Sequence, residues 1–462
     1  MREEERRVLA EFQAVEAALD QRWPESRIEP SLKRIATLVD LLGDPQRAYP
    51  IVHVAGTNGK TSVTRMVDAL LTAAGLRTGR YLSPHLQRAT ERISLDNAPI
   101  SPARYVEVYR EIEPYVTMTD AALPDEPNLS KFEVLTAMAF AAFADAPVEA
   151  GVIEVGLGGT WDATNVADGT ISVVTPIGID HVEYLGSDLE GIAAEKAGII
   201  KSGSIAVLAA QDARVAAVLA ARCVELGATV ARQGMEFGVL RRTRGVGGQL
   251  LRLQGLGGAY DDVFLPLHGA HQADNAAVAL AAAEAFLGAG AGQPLDADTV
   301  REAFASVVVP GRLERVRTAP TVLLDAAHNP HGARALAAAV AEEFAFSKLV
   351  GVVGVLGDKD VEGVLEALEP VLDEVVVTMS SSPRAMDADE LAAIAVGVFG
   401  AHRVTVEPRL DDAVEQAVRL AEESDEPSEQ DGELPAPVGG VLITGSVATV
   451  GEARALFGKA EA

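Results

Sequence analysis

Apolar residues along this chain fall into two recurring patterns. Near the start, Val8, Leu9, Phe12, Val15 and Leu19 recur at helical spacing, so residues 1–20 read as an amphipathic helix. Elsewhere the apolar residues gather into short β-rich runs with much Val and Ile: residues 51–55, 151–155, 171–175, 322–325, 349–356, 375–379 and 441–444. Runs of that length bounded by Gly and polar residues predict strands. Alanine-rich helical stretches, such as 275–287 and 333–344, lie between them. Strands alternating with helices predict an α/β protein with mostly parallel sheets. A Pro-Gly pair after Val309 separates a helix-like segment from a new series of strands, which divides the chain into domains 1–309 and 310–462. Residues 237–267, with Arg244-Gly245-Val246-Gly247-Gly248, read as a hairpin-bearing excursion, and the acidic, Pro/Ser-rich stretch 422–437 as a loop before the final strand.

Composition narrows the functional classes. With 48% hydrophobic and 23% charged residues the chain is no disordered polypeptide. Its 39 Lys and Arg stand against 67 Asp and Glu, a net charge of −28, which argues against nucleic acid and anionic membrane as partners. A single cysteine, Cys223, forbids an intrachain disulfide and fits a reducing compartment. The opening MREEERRVLAEF lacks the apolar stretch of a signal peptide, and runs such as 137–144 fall short of the ~18–20 residues that span a bilayer. A cytoplasmic monomer is the expectation.

The most informative local chemistry is Gly56-Thr57-Asn58-Gly59-Lys60-Thr61-Ser62, placed after a predicted strand and before a predicted helix. Glycines there let several backbone N–H groups converge, and the helix N-terminus adds partial positive charge, so the segment suits a polyphosphate. Lys60 is placed to neutralise phosphate oxygens, and a hydroxyl at Thr61 or Ser62 to reach Mg²⁺. The glycine spacing is one residue tighter than the usual Lys-containing phosphate loop, which would need glycine at Val54. Gly156-Leu157-Gly158-Gly159 is not a dinucleotide fingerprint, because Trp161 stands where glycine is required.

The tight GTNGKT loop resembles that of the ATP-dependent amide ligases that include the Mur peptidoglycan ligases and folylpolyglutamate synthase. Four further segments are similar to the folylpolyglutamate synthase/dihydrofolate synthase branch: Leu82-Ser83-Pro84-His85-Leu86 with Glu91-Arg92-Ile93, Phe132-Glu133-Val134-Leu135-Thr136, Glu154 to Gly159, and Asp325-Ala326-Ala327-His328-Asn329-Pro330. The resemblance implies a P-loop ATPase-type N-terminal domain followed by a smaller Rossmann-like α/β C-terminal domain. It implies ATP-dependent addition of L-glutamate to folate, and also to dihydropteroate, through an acyl phosphate. Mg²⁺ is implied as cofactor, with K⁺ as a second candidate cation. A Mur-type precursor ligase is the alternative; only about 50 residues precede the loop, too few for that branch's UDP-sugar domain. Thr61 follows the Mur pattern at a position where many folate-branch loops carry glycine.

The residues themselves leave some roles open. Glu154 lies at a predicted strand end, as a metal ligand or a salt-bridged buried acid; His181 follows the run 171–175, and Ser83 occupies a Ser-Pro-His turn. The resemblance implies that Ser83, Glu154 and His181 bind Mg²⁺ and that Lys196 is carbamylated. Asn275 opens a predicted helix, where its side chain suits capping as well as the nucleotide contact that the resemblance implies. Arg312 has a planar fork suited to phosphate oxygens, and the resemblance places it on ATP. It also places Asp325 and His328 near ATP and the incoming glutamate, with Ser446 nearby, and Asp162 against the pterin. Phe132 suits stacking on the aromatic substrate or a place in the core.

Overall fold

The computed structural model describes residues 3–24, 27, 29–290, 292–423 and 439–459. Most of the acidic stretch expected as a loop, 424–437, lies outside the described residues. The chain divides into two compact units: one comprises Met1–Thr243, Leu250–Pro266 and Ala273–Val307, the other Arg244–Gln249, Leu267–Gln272 and Val308–Ala462. The expected boundary at 309/310 is thus joined by two short segments, 244–249 and 267–272, that group with the second unit.

The first unit holds an eight-stranded sheet. Its strands are β1 (Ile51–Ala55), β2 (Thr78–Tyr81), β3 (Ile93–Leu95), β4 (Ala98–Pro99), β5 (Ala150–Glu154), β6 (Ile171–Val174), β7 (Ile205–Leu208) and β8 (Thr229–Arg232). They lie in the order β4-β3-β2-β5-β1-β6-β7-β8. All pairings from β2 across to β8 are parallel, and only the β3 and β4 edge is antiparallel. β1, β5 and β6 are buried along their whole length, which is why they read as mainly apolar runs. The N-terminal helix Glu3–Asp20 buries Phe12, Val15 and Leu19, each burial stabilising by about 1.5–3 kcal/mol, and Phe12 meets the ring of Tyr105 edge-on at 5.2 Å. A separate three-stranded sheet, β11-β10-β9, is built from β9 (Gly238–Gly245), β10 (Gly248–Gln254) and β11 (Ala259–Leu265), the expected excursion.

The second unit has six strands: β12 (Glu314–Thr318), β13 (Thr321–Asp325), β14 (Leu349–Val353), β15 (Glu374–Val377), β16 (Val404–Val406) and β17 (Gly440–Thr444). Their order is β12-β13-β17-β14-β15-β16, parallel except for β12. Both units are α/β with mostly parallel sheets, as the alternation of runs predicts. Among the described residues no helix is long and apolar enough to cross a membrane.

Candidate functional site

β1 runs into Gly56-Thr57-Asn58-Gly59, and helix Lys60–Ala73 starts at the lysine. Two glycines are required here. A Cβ on Gly56 would lie 1.8 Å from the Thr175 hydroxyl; Gly59 has φ 88°, and a Cβ on it would press on the Asn275 amide oxygen at 2.6 Å. The loop is held by β6's continuation. Thr57 N–H donates to the Pro176 carbonyl at 3.0 Å, and the Thr57 hydroxyl donates to the Gly178 carbonyl while accepting from its N–H. Lys60 folds back over the turn, its Nζ donating to the carbonyls of Gly56 and Thr57 at 3.2 Å. Ser62 is buried in the helix, whereas Thr61 donates its hydroxyl to Glu154 Oε1 at 3.0 Å.

The three residues expected to bind metal sit at or beyond the carboxyl ends of strands on both sides of this loop. Glu154 is the last residue of β5, in register with Val54, and Ser83 follows neighbouring β2 by two residues. His181 lies beyond β6, with φ 54° in the left-handed region, its N–H donating to the Asp180 carboxylate at 2.8 Å. That backbone is costly for a histidine and marks a constrained position. Carboxyl ends of parallel strands are where open α/β sheets gather ligand groups. Among the described residues, no three His, Cys, Asp or Glu side chains form a metal cage.

Lys196 ends helix Leu189–Lys196, is 4% exposed, and donates Nζ to the Gly56 carbonyl at 2.9 Å. Burial lowers its pKa to about 7; Lys60 pushes the same way, against Asp180, Asp162 and Glu195. Burial thus favours the neutral amine. Gly159 brings its own loop against this helix, since a Cβ there would lie 2.6 Å from the Glu195 carbonyl. Asp162 is 3% exposed; its Oδ1 accepts from the Thr164 N–H and hydroxyl, and its Oδ2 from the Leu157 N–H. Burial raises its pKa and these donors oppose the rise. Phe132 is half-buried over Gly156, where a Cβ would meet its ring at 2.4 Å, and tilts against Tyr81 at 6.2 Å.

One expectation is corrected. Asn275 does not open a helix: helix Ala270–Phe286 begins five residues earlier, and the Asn275 side chain faces Gly59 rather than capping. The sequence reading also missed what Glu91 does. Its carboxylate accepts from the N–H groups of Leu86, Gln87 and Arg88, each at 2.9 Å, and so fixes the loop after Ser83. The signal was present in the Glu91-Arg92-Ile93 segment, but not the contact.

In the second unit, Asp325 ends β13 and is buried. Oδ2 accepts from the Leu313 N–H and Oδ1 from the Ala327 N–H, both at 2.9 Å. Burial raises its pKa, opposed by Arg312, those two amides and His328. Arg312 donates Nη1 to the Gly311 carbonyl at 2.9 Å. His328 Nδ1 lies 2.9 Å from the Ala326 carbonyl, an acceptor only, so Nδ1 carries the proton in that bond. Ser446 caps helix Val447–Leu456 by accepting from the Thr449 N–H, and its side chain is buried.

Known proteins resemble this arrangement along almost the whole chain. The Mur ligase middle domain matches residues 54–283, and the Mur ligase glutamate ligase domain matches 311–426. The dihydrofolate synthase/folylpolyglutamate synthase of Mycobacterium tuberculosis is 58% identical over 98% of this chain and 95% of its own. The Bacillus subtilis protein of that name is 32% identical over 79% of this chain and 84% of its own. Among solved structures, Mycobacterium tuberculosis folylpolyglutamate synthase complexed with ADP has a TM-score of 0.93 at 57% identity, covering 98% of this chain and 100% of that one. E. coli FolC in complex with DHPP and ADP has a TM-score of 0.81 at 29% identity, covering 97% of each chain.

Proposed function

This chain belongs to the dihydrofolate synthase/folylpolyglutamate synthase family, within the Mur-type ligases, and from that membership we propose how its own residues carry the reaction. It is an ATP-dependent ligase that adds L-glutamate to folate, and the Mur-type precursor ligase is not favoured. The folate carboxylate takes the γ-phosphoryl group as ADP leaves. The glutamate amine then attacks the acyl carbon, phosphate leaves, and the amine gives up a proton.

One observation carries the assignment of roles: Lys60 and Lys196 both reach the Gly56 carbonyl of a phosphate loop in which Thr61 holds Glu154. We assign the loop amides of Gly56 to Ser62, with Lys60 and Asn275, to the ATP phosphates and nucleotide, and Arg312 to the same phosphates as a fork matched to their oxygens. The donors Glu154, Ser83 and His181 suit Mg²⁺, which accepts few protein ligands and keeps water and phosphate oxygens; K⁺ is a second candidate. When bound, Mg²⁺ neutralises charge on the transferring phosphoryl group.

Lys196, whose pKa burial lowers, is the residue we assign to carbamylation: the nitrogen of the neutral amine bonds to the carbon of CO₂ and releases one proton to give an anionic carbamate, so that two protons leave when the starting group is the ammonium. His328, with Nδ1 held by the Ala326 carbonyl, directs Nε2 to the amine's proton. Asp325 holds the Arg312 turn through the Leu313 N–H, and Ser446 fixes the start of the last helix on the glutamate side. Asp162 accepts N–H donors of the pterin edge and Phe132 stacks on its ring, which extends the activity to dihydropteroate. The setting is a cytoplasmic monomer.

The test is purified protein with ATP, Mg²⁺ and L-glutamate, offered dihydropteroate, a tetrahydrofolate or a UDP-linked peptide precursor in separate reactions. ADP release with both pterins is the expected outcome; release with the UDP-linked precursor alone would overturn the reading.

A further inference from the structure

His53 occupies the middle of β1, between β5 and β6, in register with Ile153 and Ser172, and has no exposed surface. A central strand buried on both faces favours apolar side chains. Here the ring lies with Nε2 2.9 Å from the Thr164 hydroxyl, while Nδ1 is buried with no hydrogen-bond partner. An orphaned polar atom destabilises the fold, and leucine would avoid that cost. Stability therefore does not account for a histidine at this position.

The direction of the bonds shows what it does instead. Thr164 has one hydroxyl proton, which it donates to Asp162 Oδ1 at 2.5 Å. Its oxygen must then accept from His53, so the ring carries its proton on Nε2. Complete burial, with Lys201 acting in the same sense, lowers the ring's pKa to about 3 and keeps that neutral donor form. The chain runs His53 Nε2–H to Thr164 O–H to Asp162. At Asp162 it joins the N–H donors of Thr164 and Leu157. These bonds hold the carboxylate in one orientation and tie it to the Gly156–Gly159 turn.

We propose that His53 is a positioning residue for the pterin substrate, acting through Thr164 to fix the Asp162 carboxylate. The inference rests on the assignment of Asp162 to the pterin. His53 itself touches no substrate, so its effect belongs in pterin affinity and not in ATP binding.

Four variants test it: His53→Leu, His53→Gln, Thr164→Val and Asp162→Asn, each assayed for KM toward dihydropteroate and ATP, kcat and thermal midpoint. His53→Leu is expected to raise the dihydropteroate KM about tenfold, the scale of one lost charge-linked hydrogen bond. Its ATP KM should be unchanged and its midpoint equal or higher. His53→Gln, whose amide nitrogen can still donate to Thr164, should stay within about threefold of wild type. Thr164→Val should match His53→Leu, and combining the two should add nothing further.

A wild-type dihydropteroate KM in His53→Leu overturns the proposal, as does equal damage in His53→Leu and His53→Gln with ATP KM and midpoint both impaired. If Asp162→Asn alone keeps a wild-type KM, the assignment of Asp162 to the pterin fails. If Asp162→Asn is impaired while His53→Leu is not, only the role of His53 fails.

Discussion

Lys196 and His53 are both buried bases whose pKa burial lowers, with opposite consequences. For Lys196 the neutral form is useful, because only a free amine bonds to CO₂. Intact-mass measurement in bicarbonate buffer should show one added CO₂, lost on acidification and absent from Lys196→Met. No added mass, together with full activity of Lys196→Met, would remove the assignment. For His53 the consequence is thermodynamic. Its folded pKa, about 3, lies below the ordinary 6.5, so the unfolded chain takes up a proton first as pH falls. Stability is therefore lost between pH 6.5 and 3, at up to ~1.4 kcal/mol per pH unit from this residue. Urea midpoints in the upper half of that window should fall less steeply in His53→Gln than in wild type; parallel slopes would contradict the shift. The phosphate loop was legible in the sequence because its chemistry is contiguous. Lys196 and Gly56 are 140 residues apart, and Thr61 and Glu154 are 93 apart, so their contacts could be read only after the strands were placed. Asn275 was misplaced because polar residues precede it: His271, Gln272 and Asp274 look like a loop but form the first turns of its helix.

Elements were legible where most of a strand's residues are apolar, and not where charge and glycine leave it almost none. β2 is Thr-Gly-Arg-Tyr. Its Gly79 is covered by the Phe143 ring, and its buried Arg80 is neutralised by Asp68 at 2.7 Å with help from Ser94 and Asn97. No apolar run marks such a strand, because the groups that make it burial-competent come from elsewhere. The same logic governs the turn that carries Arg312. Helix Val447–Leu456 sends Arg454 onto Glu314, with Nε to Oε2 at 2.7 Å and Nη2 to Oε1 at 3.1 Å. Glu314 Oε2 also accepts the Gly311 N–H at 2.8 Å, so the pair braces the turn from one side while Asp325 holds it from the other. Arg312→Ala should lower turnover by at least about a hundredfold, the scale for losing a charge on a transferring phosphoryl group. Arg454→Met should lower it about tenfold, with a stability loss of about 1–3 kcal/mol. In an Arg312→Ala background Arg454→Met should change turnover no further. Additive losses would mean that Arg454 acts independently of the turn.

At the scale of the whole molecule, a net charge of −28 stands against substrates that are themselves anions. The conflict is one of distance. Beyond a Debye length, about 10 Å at 0.1 M salt, an approaching anion meets the averaged negative field. Within it, the loop amides and Lys60 act at close range, and desolvation strengthens them relative to surface acids. Many of those acids are spent in exposed ion pairs such as Arg104–Glu107 and Arg409–Asp411, which contribute little to either stability or binding. Added inert salt at fixed Mg²⁺ and K⁺ should therefore screen repulsion more than attraction. The expected outcome is that kcat/KM for folate rises modestly, by less than about threefold, from low ionic strength to 0.1 M, and is flat beyond it. A steep fall with salt would mean that a long-range positive field steers the substrates, and that the acid excess is arranged to leave such a field over the phosphate loop.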